Sequence, residues 1–89
     1  MPRTLLIEVS IVSGAVDGCA IWVNHTQVSA ARPAVTWRGR IPDLWSTLRI
    51  EATGIGKSAY HIRLSINGII LLDADRSLVA GIDVFEQLV

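Results

Sequence analysis

Ile62-Arg63-Leu64-Ser65-Ile66-Asn67-Gly68-Ile69-Ile70-Leu71-Leu72 decides the fold. Ile62, Leu64 and Ile66 alternate with Arg63 and Ser65, the period of two that sends successive side chains to opposite faces of a strand. Asn67-Gly68 is the dipeptide most favoured in type I′ turns, where both central residues need positive φ, so the stretch predicts a β-hairpin.

The same period runs outward in both directions. Leu5, Ile7, Val9 and Ile11 share one phase at the start of the chain. Cys19, Ile21 and Val23 alternate with Ala20, Trp22 and Asn24; the turn-compatible pair Asn24-His25 follows, and Thr26 to Val28 resume β-type residues, which predicts a second hairpin. Val35, Trp37 and Ile41 oppose Thr36, Arg38 and Arg40 between Pro33 and Pro42, and Leu48, Ile50 and Ala52 alternate with Arg49 and Glu51. At the end of the chain Leu78, Ile82, Phe85 and Val89 have helical spacing, while Ile82, Val84 and Leu88 have strand spacing. Gly81, a poor helix residue, favours the strand. The expected fold is all-β: a small antiparallel β-sandwich of six to seven strands, one domain over residues 1–89.

Residues 4–46 slide onto residues 47–89 without a gap. Thr4, Leu5, Ile7 and Glu8 then meet the identical Thr47, Leu48, Ile50 and Glu51, and Asn24 meets Asn67. The apolar phase is kept from Ile21 and Leu64 through Val35 and Leu78 to Ile41 and Val84. An internal repeat is the expectation, with two pseudo-twofold-related three-stranded halves covering each other face to face.

Composition narrows the function classes. Eight Lys and Arg balance eight Asp and Glu over 89 residues, so no net field draws the chain to nucleic acid or an anionic membrane. No apolar run approaches the roughly 18 residues of a membrane-spanning helix. Met1 to Glu8 make a poor signal peptide, and with a single cysteine, Cys19, the expected location is a reducing cytoplasm.

No motif assembles into a catalytic constellation. Glu51 to Ser58 ends like a phosphate-binding loop in Gly54-Ile55-Gly56-Lys57-Ser58, but Glu51 stands where the first glycine belongs and a strand pattern follows, so a strand connection is expected. His25 and His61 have no nearby ligand cluster, Asp73 and Asp75 fall short of a calcium loop, and Cys19 shares the phase of Ile21 and Val23, the core phase. No metal, no cofactor and no catalytic residue are expected.

Binding candidates remain. Aromatic rings stack on sugars, and of Trp22, Trp37 and Trp45 the outward phase belongs to Trp22, beside Asn24. Arg38, Arg40, Arg49, His61 and Arg63 share the outward strand phase and are candidates for a carbohydrate or a small anion, although Glu8 and Glu51 share it too. Following the Asn67-Gly68 turn, Ile69 and Leu71 fall in phase with Ile66, which sets Ile70 and Leu72 on the opposite face; Leu6 and Trp22 also oppose their strands' core phase. A strand apolar on both faces needs cover on both, so Leu6, Trp22, Ile70 and Leu72 are the expected interface of a homo-oligomer, a dimer above all. The expected function is a non-catalytic, self-associating interaction module, with a binding module for a carbohydrate or small anion as the alternative.

Overall fold

In the computed structural model, which describes residues 3–31, 35–42 and 44–89, eight strands follow one another. They are β1 (Arg3–Ser13), β2 (Val16–Val23), β3 (Thr26–Ala31), β4 (Val35–Ile41), β5 (Thr47–Gly54), β6 (Ala59–Ile66), β7 (Ile69–Ser77) and β8 (Ile82–Leu88). No helix occurs among the described residues, and Pro33, the expected start of the third strand's bracket, lies outside them. The strands form two four-stranded antiparallel sheets, ordered β4-β1-β6-β7 (sheet A) and β3-β2-β5-β8 (sheet B).

The alternation read from the sequence is the packing. Leu5, Ile7 and Val9 of β1 and Ile62 and Leu64 of β6 face Ile21, Leu48, Ile50 and Ala52 of sheet B, all buried. Each fully buried Leu or Ile removes enough apolar surface from water to contribute about 1.5–3 kcal/mol, and the interior is built from such residues at every second position. Cys19 is buried in the same layer, where its surroundings push the thiol up to about 11.

The sandwich has eight strands rather than six or seven, and the halves are not three-stranded layers stacked face to face. Each half supplies four strands and gives two to each sheet: β1 and β4 pair beside β6 and β7, while β2 and β3 pair beside β5 and β8. Register recurs between the halves. Ile21, Trp22 and Val23 lie opposite Ser29, Gln27 and Thr26, with a bulge after Ile21; Leu64, Ser65 and Ile66 lie opposite Leu72, Ile70 and Ile69, with a bulge after Leu64. Between sheet centres, Val23, Ile21 and Cys19 meet Leu48, Ile50 and Ala52, while Ile66, Leu64 and Ile62 meet Leu5, Ile7 and Val9.

Both hairpin turns are tied down alike. The Asn67 Oδ1 accepts from the Thr4 N–H at 2.9 Å, and the Asn24 Oδ1 accepts from the Thr47 N–H at 2.9 Å. Asn24 and His25, like Asn67 and Gly68, have positive φ, as the type I′ turn requires.

The last strands depart from the gapless alignment. Thr4 lies opposite Arg40, but Thr47 lies opposite Leu88 rather than Asp83, so Val35 to Ile41 correspond in register to Asp83 to Val89 and not to Leu78 to Val84. The C-terminal strand expected from the sequence is present, with Phe85 and Val89 facing inward and Ile82, Val84 and Leu88 outward.

The glycine-rich stretch is a corner and not a phosphate cradle. The Ser58 hydroxyl donates to the Ile55 carbonyl at 2.6 Å and accepts from the Ala15 N–H at 2.8 Å, and β6 follows at Ala59.

Candidate functional site

The residues expected to bind a ligand divide between the two outer faces. On sheet B, cross-strand register sets Gln27, Trp22, Arg49 and Glu86 in one row. The Arg49 guanidinium lies over the Trp22 ring, 5.7 Å from its centroid, and its Nη2 donates to Glu51 Oε1 at 2.5 Å. Trp22, His25, Thr47, Leu48, Arg49 and Glu86 line a hollow of about 320 Å³. Asn24 stands at its edge but is occupied: its Oδ1 accepts from Thr47 and its Nδ2 donates to the Ser46 hydroxyl at 3.1 Å, so it holds the turn. The small residues Gly18, Ala20 and Ala30 leave a second, shallower hollow on the same face.

Arg38, Arg40, His61 and Arg63 lie on sheet A instead, so the outward basic residues do not make one patch with Arg49. Carboxylates interleave with them: Glu8 is opposite Arg63, which reaches Asp73 at 3.5 Å. His61 contacts two carboxylates at once, Asp75 through Nδ1 at 2.5 Å and Asp73 through Nε2. A neutral imidazole has one N–H donor, so both contacts are satisfied only by the imidazolium. Hydrogen bonding to Asp75 and Asp73 raises the His61 pKa above its ordinary value, and the bond from His61 holds Asp73 below the usual carboxylate range.

The expected interface residues are also redistributed. Leu6 is opposite Ser65 and Ser65 opposite Ile70, so Leu6 and Ile70 share the outer face of sheet A, whereas Trp22 lies on sheet B. Leu72 is not outward. The bulge leaves Leu71 without a partner and resets the phase, pairing Leu72 with buried Leu64 and packing it against the core, while Ile69, Ile70 and Leu71 are exposed. Trp37 packs against the core from β4, and Trp45 is 77 % exposed.

A third cluster escaped the sequence reading. Tyr60 of β6, fully buried, donates its hydroxyl to Asp83 Oδ2; Arg76 of β7 donates to the same carboxylate through Nε at 2.7 Å and through an Nη at 3.1 Å. Arg76 also lies over Phe85, 5.1 Å from the ring centroid. Tyr60 and Arg76 belong to sheet A and Asp83 to sheet B, so the network ties the layers together. Burial would raise the Asp83 carboxyl, but the bonds from Arg76 and Tyr60 outweigh it and hold the carboxyl below its usual range. Burial and the bond to Asp83 push the Tyr60 hydroxyl well up. Nothing in the sequence marked this cluster: Asp83 opposes the apolar phase of Ile82, Val84 and Leu88, and Arg76 shares the sequence phase of Ile70 and Leu72.

Among the described residues no cluster of three or more His, Cys, Asp or Glu is arranged to hold a metal, and no helix is long and apolar enough to cross a membrane. Comparison with protein-family models, curated proteins and solved structures finds no match, so the site is read from its own geometry.

Proposed function

We propose that this chain is a non-catalytic assembly module that associates with copies of itself. One observation carries the reading: the two halves share a register but not an edge chemistry. Where β3 has Thr26, Gln27 and Val28, β7 has Ile69, Ile70 and Leu71; where β4 has Thr36, Arg38 and Arg40, β8 has Val84, Glu86 and Leu88. Sheet B thus has a polar edge from β3 and a largely apolar one from β8, and in sheet A the β7 edge opens with three exposed apolar residues before Asp73, Asp75 and Arg76. Apolar strand edges are the surfaces that pair with other chains unless shielded. The shared register also supports reading the chain as an internal repeat whose second copy took on the contacts. Light scattering over a micromolar to near-millimolar series is expected to show a discrete oligomer, and a monomer throughout would end the reading.

The hollow beside Trp22 favours a second reading, a site for a neutral sugar. Arg49 there is paired with Glu51 and lies opposite Glu86, which argues for a polyhydroxylated ligand over an anion. Titration with neutral maltose, cellobiose and chitobiose series is expected to change tryptophan emission, and Trp22→Phe to abolish the change. No response to any series would remove this reading.

A further inference from the structure

Three of the four sheet edges carry a device that discourages pairing. β3 and β7 are bulged, at Val28 and Leu71, and β4 presents Arg38 and Arg40. β8 pairs with β5 in unbroken register from Ile82 to Leu88, contains no proline, and exposes Ile82, Val84 and Leu88 with Glu86 as the one outward charge.

Its backbone shows which groups are free. Ser46 and Val89 exchange both hydrogen bonds, at 2.9 and 2.8 Å, so Val89 aims its N–H and C=O along the β5 side. In an antiparallel ladder the aim alternates, so Asp83, Phe85 and Gln87 turn to β5, and Val84, Glu86 and Leu88 turn to the open edge. Ile82 would also face that edge, but it exchanges both bonds with Val79, at 2.8 and 3.2 Å. The open donors and acceptors of β8 are therefore those of Val84, Glu86 and Leu88, and among the described residues no strand pairs with them.

We propose that a second copy of this chain pairs antiparallel along β8, joining two copies of sheet B into one continuous sheet across a twofold axis. The proposal rests on the self-association reading and assigns its surface. The occupant is a copy because the segment is self-complementary: the register that uses all three open residues sets Val84 against the partner's Leu88 and, by symmetry, Leu88 against the partner's Val84. The axis passes at Glu86, which meets the partner's Glu86. Each of these carboxylates has Arg49 opposite it within its own sheet, which tempers the repulsion without removing it.

Sedimentation equilibrium on the wild-type chain, Val84→Lys, Glu86→Gln and Ile70→Lys, with hydrogen exchange on the wild type, tests this. A dimer is expected, weakened at least about tenfold by Val84→Lys because a lysine replaces half of each apolar pair. Relief of the like-charge pair is expected to tighten it about two- to fivefold in Glu86→Gln, and Ile70→Lys should leave it unchanged. A dimer undiminished by Val84→Lys but lost in Ile70→Lys would overturn the β8 assignment and leave self-association standing, whereas a monomeric wild type would overturn both. Should Val84→Lys not fold, exchange decides: protection of the Val84, Glu86 and Leu88 amides should rise with concentration, and protection that stays flat while the dimer forms overturns the assignment.

Discussion

Tyr60 and His61 are neighbours in β6, Asp75 and Arg76 are neighbours in β7, and each pair is split between two networks that sit back to back on one sheet. Inside, Tyr60 and Arg76 share the Asp83 carboxylate across the layers, with Tyr60 buried, Asp83 mostly so and Arg76 reaching solvent at the junction. Outside, His61 joins Asp73 and Asp75 within sheet A, open to water. The chemistry is alike in both, a carboxylate accepting from charged or acidic donors, but the surroundings differ. In the interior a lost partner leaves the buried Tyr60 hydroxyl unsatisfied with no solvent to replace it, whereas Arg76 at the layer junction and the groups of the surface network can turn to water and salt. Alternation along a strand thus assigns neighbouring residues to different energetic roles.

The sharpest way to break this comparison is to remove the shared carboxylate. Asp83→Ala is expected to destabilise the fold by about 1–3 kcal/mol, chiefly because it strands the buried Tyr60 hydroxyl, while Arg76 at the layer junction can turn to water. Tyr60→Phe should cost about 1–2 kcal/mol, and the double variant less than the sum, because the two groups share one bond. Urea unfolding of the three variants checks this, and additive effects would show that the network is not a unit.

The smaller effect lies in pH. The Asp83 carboxyl is depressed in the folded chain, so its contribution is present above the ordinary carboxylate pKa of about 3.9 and is lost as pH falls through the lower folded value. His61 is raised, so its contribution is complete below the ordinary imidazole pKa of about 6.5 and is lost as pH rises through the higher folded value. Thermal unfolding is therefore expected to weaken at both ends of the pH scale. His61→Gln should flatten the neutral-to-alkaline slope and, because it also releases Asp73, part of the acid slope, whereas Asp83→Asn should flatten only the acid one; a His61→Gln profile that matches the wild type would show that the outer network contributes nothing.

The edge strands extend the same lesson to function. β4 and β8 occupy equivalent places in the two sheets, and Arg38 and Arg40 on one stand where Glu86 and Leu88 stand on the other. Register makes them equivalent, and side chains alone decide which edge repels a visitor. Much of this was legible in the chain. Period-two alternation located the strands, Asn67-Gly68 and Asn24-His25 located two hairpins, and the identical Thr-Leu and Ile-Glu positions pointed to the recurring register. The position of Leu72 was not legible, because a bulge shifts phase by one residue and leaves no mark on composition. Nor was the Tyr60–Arg76–Asp83 network, whose members come from three strands and two sheets.

By itself, then, the sequence determined that this chain is built of strands, where they turn, and which face of most of them is apolar, since each of these depends on residues a few positions apart. Only the tertiary structure decided that each half lends two strands to each sheet, that Trp22 and Arg49 meet on the face opposite Arg63 and His61, and that β8 is left at an open edge. The reason is physical: a strand's alternation is the same whichever neighbour it pairs with, and the choice of neighbour is made by hydrogen bonds and side-chain contacts between residues distant in the chain.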